Sequence, residues 1–462
     1  MQGYLKAKLD YRLSEEELED IALFFKDNYS ARFKALIEKM DIEKRKDAIV
    51  VHFIELYPYA YDAKVEVLLH VQEYPYIEFF FDERIPADWI SQIVWKIKDT
   101  ISSYFDFRKE FSLSLFFISN QKTIPEIKDR ARVLSLFSYN LLPIYVLTYA
   151  VLIVVFFIDP SLLVVTYIAL QFSILLLSDK LLLSFCKWKI EGTDQVVQII
   201  DMKLNYKAFK KIMKTPNDQI RKIKMEIFNR SLSEGRLITL EDVKLVIQKF
   251  NDILGDVKDV EIRTYDVFSI VNRLSAKYRI KPPKIGIVSS LEPNAAATGF
   301  SPSRAAILIT AGAFAVFNEE ELEGILGHEM SHIKNRDPFY LMLMFCAEYV
   351  LRFFLFTHVY AMVFFWIPYF IVVIALLFFI AKFFEARADL EAIYTIENPE
   401  ALVKALTVFA RRIGVHNLWR SASRWLGVDP HPPLLFRIER LYKYIRMGLP
   451  PVRHFFLRSV VD

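Results

Sequence analysis

A chain of 462 residues with 54% hydrophobic side chains is too long for one compact domain and more apolar than an ordinary soluble protein. Mean hydropathy is +0.24, which places part of the chain in lipid. Forty Phe against 12 Gly exclude a low-complexity or disordered chain, and a net charge of +4 does not by itself suggest nucleic acid.

Cysteine is scarce. Cys186 and Cys346 both fall in or beside apolar runs, which argues against a disulfide framework and fits a reducing compartment. The N-terminal stretch MQGYLKAKLDYRLSEEELED holds no apolar h-region, so no cleaved signal peptide is expected.

Residues 1–127 read as a soluble α+β domain. A helix is expected over Leu13–Met40, opened by Ser14 with an acidic first turn. Strands are expected at Ala48–Tyr57, Lys64–Val71, Tyr76–Phe81 and Phe111–Ile118, with a helix at Ala87–Phe105. No catalytic signature falls in this part.

The composition then changes. Val133–Ile158 is an uncharged run of 26 residues. After a turn at Asp159-Pro160 a second apolar run follows, and the two predict a transmembrane hairpin over residues 128–189, with spans near 133–158 and 161–182. Residues 190–262 read as a basic helical insert, with Lys203, Lys207, Lys210, Lys211, Lys214, Arg221, Lys222 and Lys224 among apolar positions. Contact with anionic headgroups and a solvated helix face are equally good readings of those charges.

A second hairpin is expected over 338–382. Pro338–Phe356 is apolar except for Glu348 and Arg352, which pair at i,i+4, and Val359–Ala381 is an uncharged run of 23 residues. Lys and Arg flank all four runs on one side, at Lys128, Arg130, Arg132, Lys180, Lys187, Lys189, Lys334, Arg336, Lys382 and Arg387. The connections at 159–160 and 357–358 have none, so the positive-inside rule puts every soluble segment and both termini in the cytoplasm.

The most informative segment runs from Asn318 to Asp337. Asn318 with Glu321 makes a capping-box-like start to a helix reaching about Asn335. His328 and His332 then lie one turn apart on one face, where both imidazoles reach one metal, and Glu329 lies beside a metal-bound water. This is the HExxH pattern of zinc peptidases.

A catalytic zinc takes three protein ligands. Glu385 is the preferred third, because its helix continues the fourth span and the hairpin returns the chain to the side it left. Asp389, one turn on, is placed to accept from a ligating imidazole. Glu391, Glu348, His431 and His416 are weaker rivals.

The segment GHEMSHIKNRD, followed by two apolar runs and FEARAD, resembles the HtpX-type membrane zinc peptidases, relatives of the CAAX prenyl proteases. The stretch from Pro293 through Asn294, Ala295, Ala296, Ala297 and Thr298 to Gly299 is similar to that family's segment upstream of the metal helix. Pro430-His431-Pro432-Pro433-Leu434 with Arg437 is similar to its C-terminal motif. The resemblance covers residues 133–186 and 263–445. It implies that His328, His332 and Glu385 bind one zinc per chain and that Glu329 is the catalytic base. The domain at 1–127 and the insert at 190–262 lie outside the pattern.

The expected fold is an α-helical membrane protein with four transmembrane helices. To it belong a mainly α, gluzincin-like zinc-peptidase domain with a small sheet, split into 263–337 and 383–462, and the extra N-terminal α+β domain. The expected function is zinc-dependent hydrolysis of membrane or misfolded proteins at the cytoplasmic face of the cell membrane, with protein or peptide substrates, a lipid bilayer and no nucleic acid as partners. The alternatives are a CAAX-type processing protease and a non-catalytic zinc-binding scaffold. His431 or Arg437 is expected to stabilise the oxyanion. Residues Asn294–Thr298 are expected to form an exposed strand edge to which an extended substrate can pair.

Overall fold

A computed structural model of the chain describes residues 2–45, 48–60, 63–108, 111–120, 142–358, 366–412 and 431–448. It divides into two compact units, residues 1–115 with 200–263, and residues 116–199 with 264–462. The chain passes between them within three strands, Ser112–Ile118, Val197–Leu204 and Val257–Tyr265.

The first unit holds a five-stranded antiparallel sheet built from β1 (Gln2–Lys8), β2 (Ile37–Lys44), β3 (Ile49–Leu56), β4 (Lys64–Val71) and β5 (Tyr76–Asp82), in the order β1-β5-β4-β3-β2. Alternation selects the buried face. Val51 and Phe53, then Val65, Val67 and Leu69, then Ile77 and Phe79, are fully buried. Ile21, Phe25 and Tyr29, spaced at i,i+4,i+8 on the helix Leu18–Arg32, join the same core.

Two expectations change here. The first helix stops at Arg32, because Met40 and Ile42 alternate with charged residues and form the edge strand β2. Charges on an edge strand also block stray pairing. The basic insert is not a separate all-helical piece: residues 200–263 belong to this unit and carry strand as well as helix. Lys207 pairs with Glu19, Lys210 with Asp27 and Lys203 with Asp259. Part of the basic run is therefore spent on ion pairs within the unit.

The second unit opens with three apolar helices, α1 (Leu142–Ile158), α2 (Leu163–Leu176) and α3 (Ser178–Phe185). Next come strand β6 (Trp188–Ile190), helix α4 (Val267–Tyr278) and strands β7 (Lys284–Val288), β8 (Ala295–Ser301) and β9 (Arg304–Thr310). Helices α5 (Glu319–Asn335), α6 (Asp337–His358), α7 (Trp366–Thr395), α8 (Pro399–Arg412) and α9 (Leu434–Arg446) complete it. The sheet order is β8-β9-β7-β6, so β8 is an edge strand, antiparallel to β9. Ile287, Ile307, Ile309, Leu326, Met330 and Leu390 are at the centre of one core that joins sheet and helices.

Helices α6 and α7 are long and apolar enough to cross a membrane. Helices α2 and α3, bent by 54° at their junction, make a third such segment if taken together. Helix α1 has 17 residues, and residues 133–141 of the run expected to open the first span lie outside the described residues. Phe157, Ile371 and Val372 are among the apolar side chains left exposed, as a lipid-facing surface requires.

Candidate metal centre

Helix α5 begins as the sequence dictates. Asn318 accepts from the Glu321 N–H, the Glu321 carboxylate accepts from the Asn318 N–H, and three glutamates occupy the first turn. Arg336, with φ of 56°, ends it in the left-handed conformation. Glycine lets neighbours close on it: a Cβ at Gly324 would lie 2.9 Å from the Leu402 nitrogen on α8. Beside the histidines, Glu391 of α7 accepts from Ser331, Lys334 and Asn335. Glu391 is thus a clasp between α5 and α7 and is not part of the ligand cluster.

The ligand cluster joins those same helices. His328 Nε2 lies 3.2 Å from His332 Nε2 and 3.3 Å from Glu385 Oε2, and His332 Nε2 lies 3.3 Å from Glu385 Oε1. Tetrahedral zinc with ligands at about 2.0–2.2 Å holds neighbouring ligand atoms roughly 3.3–3.5 Å apart. The three side chains therefore already stand at the spacing one such ion requires. Glu385 Oε2 is buried and accepts no hydrogen bond; Arg437 Nη1 and His431 Nε2 lie 3.7 Å away, beyond bonding distance, which leaves its lone pairs open to a cation. Among the described residues this is the one group of three or more His, Cys, Asp or Glu able to hold a metal.

Each imidazole has its outer nitrogen on an aspartate, and each aspartate is held by an arginine. His328 Nδ1 lies 2.9 Å from Asp389 Oδ1, somewhat off the ideal hydrogen-bond line. Arg437 of α9 donates twice to Asp389, at 2.7 Å each. His332 Nδ1 lies 2.7 Å from Asp337 Oδ2, and Arg387 of α7 donates to both oxygens of Asp337. Such partners fix the ring orientation and leave Nε2 free for metal. The first relay includes Asp389, which the sequence had singled out. The second carries no local sequence signal beyond proximity: Asp337 lies five residues after His332 and Arg387 two after Glu385.

Burial works against a charged ring at both histidines, but the neighbouring carboxylates outweigh it. His328 is raised by Asp389 and Glu385, and His332 is pushed up to about 10 by Asp337 and Glu385. Burial lifts the Glu329 carboxyl above its ordinary range, although the two imidazoles beside it pull the other way. A raised carboxyl suits a group that must accept and return a proton near neutrality.

The remaining site candidates separate. Arg437 is buried; its Nε and Nη2 are bonded to Asp389, while Nη1 lies 3.7 Å from Glu385 Oε2. His431 is 56% exposed, with Nε2 3.7 Å from Glu385 Oε2. His416 lies outside the described residues, and Glu348 sits in α6 paired with Arg352. Ala295–Thr298 do form part of the edge strand, which packs against α5. Asn294 precedes it, with its backbone N–H and C=O both engaged by Thr310.

The family model of peptidase family M48 matches residues 261–445, the stretch that carries this cluster. Over that stretch, less than half of the chain, it is similar to peptidase family M48. Three curated relatives, each named a protease HtpX homolog, are similar to parts of this chain. The one from Campylobacter concisus is 42% identical over 94 residues, 20% of this chain and 31% of that relative. The one from Thermodesulfovibrio yellowstonii is 43% identical over 77 residues, 17% and 27%. The one from Pyrococcus furiosus is 46% identical over 72 residues, 16% and 25%. The chain thus spans about a third or less of the length of these relatives. The resemblance to HtpX-type metallopeptidases read from the motifs is supported by both comparisons.

Proposed function

We propose that this protein is a zinc-dependent integral-membrane endopeptidase that hydrolyses peptide bonds of membrane or misfolded proteins at the cytoplasmic membrane surface. The observation that carries the reading is the His328–His332–Glu385 cluster at tetrahedral ligand spacing, with Glu329 beside it on α5. In this reading α1, the bent pair α2–α3, α6 and α7 make four spans, and the Lys and Arg that flank them face the cytoplasm. His332 lies five residues before α6 begins, which supports a site at the lip of the bilayer.

Zinc, when bound by the three ligands, supplies Lewis-acid polarisation of the scissile carbonyl and of the attacking water. Glu329 takes the proton from that water and returns it to the leaving amine. Asp389 with Arg437, and Asp337 with Arg387, keep the imidazoles from turning. The substrate adds as an extended strand along β8, where alanine side chains allow close approach and main-chain hydrogen bonds hold the peptide. His431 Nε2 and Arg437 Nη1, each 3.7 Å from Glu385 Oε2, are the two candidate oxyanion donors; His431 is the exposed one.

The test is Glu329→Gln. Zinc stays near one per chain, while cleavage of a model membrane protein falls by about 10²–10⁴-fold. Unchanged cleavage sinks the mechanism. Zinc loss in Glu385→Ala and not in Glu391→Ala identifies the third ligand.

A further inference from the structure

The two relays around the histidines are alike in chemistry but differ in what they are attached to. Arg437, behind His328, comes from α9. Asp337, behind His332, is the first residue of the membrane helix α6, and Arg387 sits on the extension of the membrane helix α7. The orientation of His332 therefore depends on how α6 and α7 pair. The same two helices are tied again farther along. Glu348 of α6 accepts from the Tyr369 hydroxyl of α7 at 3.3 Å and pairs with Arg352 at 3.0 Å. Arg352 in turn lies over the Phe370 ring of α7. Glu348 is 11 residues from Asp337, roughly 16 Å along a helix and near the middle of a hydrocarbon core about 30 Å thick. A charge at that depth is costly unless paired, so the tie has few alternative arrangements.

We propose that Asp337 and Arg387 are positioning residues for His332 and that through them the pairing of α6 with α7 sets the metal affinity of the site. The bilayer-embedded contact of Glu348 with Tyr369 is the far end of that coupling. A perturbation that splays the two helices turns His332 away from its fellow ligands and weakens metal binding without touching a ligand. The inference rests on the proposed His328–His332–Glu385 metal site.

The experiment uses the full chain in bilayer discs and reads zinc affinity by chelator competition, with the cobalt absorption spectrum as a report of ligand geometry. Arg387→Ala is expected to lower zinc affinity by about 10–100-fold, with Arg387→Lys restoring part of it. Combining Asp337→Asn with Arg387→Ala adds little, since the two act as one unit. Tyr369→Phe, which removes a single hydroxyl, lowers affinity several-fold and shifts the cobalt spectrum in the same sense. Wild-type affinity and spectrum in Arg387→Ala, or in Tyr369→Phe, overturn the proposal. Failure of the underlying reading is a different result: the unmodified chain then binds no stoichiometric zinc, or His328→Ala binds as much as the unmodified chain does.

Discussion

Asp389 serves two partners at once, and the two services can be separated. Its carboxylate takes two bonds from Arg437 at 2.7 Å and faces His328 Nδ1 at 2.9 Å, with both Asp389 and Arg437 buried. Asp389→Ala removes the bidentate partner of a buried guanidinium and leaves it only Glu385, 3.7 Å away, which costs up to about 3–5 kcal/mol of stability. It also frees the His328 ring, which costs about 10–100-fold in metal affinity. The double variant Asp389→Leu with Arg437→Met removes the charge along with its partner. Replacing a buried pair by apolar side chains of similar size is often close to neutral, so most of the stability returns. The metal affinity does not return, because His328 still lacks its acceptor. Thermal melting of the metal-free protein and zinc competition assays read the two effects independently. Recovery of zinc affinity in the double variant, or unaltered affinity in Asp389→Ala, refutes the claim that Asp389 orients His328.

Other expectations follow from local geometry. Gly324→Ala puts a methyl 2.9 Å from the Leu402 nitrogen and 3.0 Å from its Cα, so α8 must move off α5; a loss of about 1–3 kcal/mol is expected in melting experiments. Asn318→Ala removes the cap of α5 and costs about 0.5–2 kcal/mol, read as faster amide exchange over the first turn. In the first unit, the Arg236 guanidinium holds Asp242 well below the ordinary carboxylate range. A depressed folded value means that its contribution is complete above the unfolded value of about 3.9 and is lost as pH falls below it. Asp242→Asn is therefore expected to speed amide exchange in Leu240–Lys249 at pH 7 and to differ less from the unmodified chain near pH 3.

The site was more legible than the scaffold, for physical reasons. HExxH announces itself because zinc chemistry demands two imidazoles one helical turn apart, and the cap at Asn318 fixes the helix that delivers them. Glu385 could be chosen because a hairpin must return the chain to the same surface. Asp389 followed from helical spacing. Asp337 and Arg387 did not, since their pairing depends on how two membrane helices lie together, which no local pattern encodes. The strand β2 was read as helix because a charged edge strand shows only Met40 and Ile42 as inward signals. The membership of residues 200–263 in the first unit is likewise a long-range property, set by contacts such as Tyr206 with Phe24 and Phe111.

Charge accounting supports the proposal that the centre holds a divalent cation. Asp389 with Arg437, and Asp337 with Arg387, cancel in pairs. With neutral imidazoles, Glu385 and Glu329 leave the inner cluster at minus two, the charge a divalent cation neutralises. Asp337 and Glu385 push His332 up to about 10 against the effect of burial, so a proton on that ring competes with a metal. Metal binding at His332 must displace that proton, so zinc affinity is expected to rise between pH 6 and pH 8 by about tenfold per pH unit. Proton release can be read directly by calorimetry in buffers of different ionisation enthalpy. A zinc affinity that is flat across that range, with no proton uptake by the buffer, would mean that the imidazoles are neutral in the free protein and that the charge argument fails.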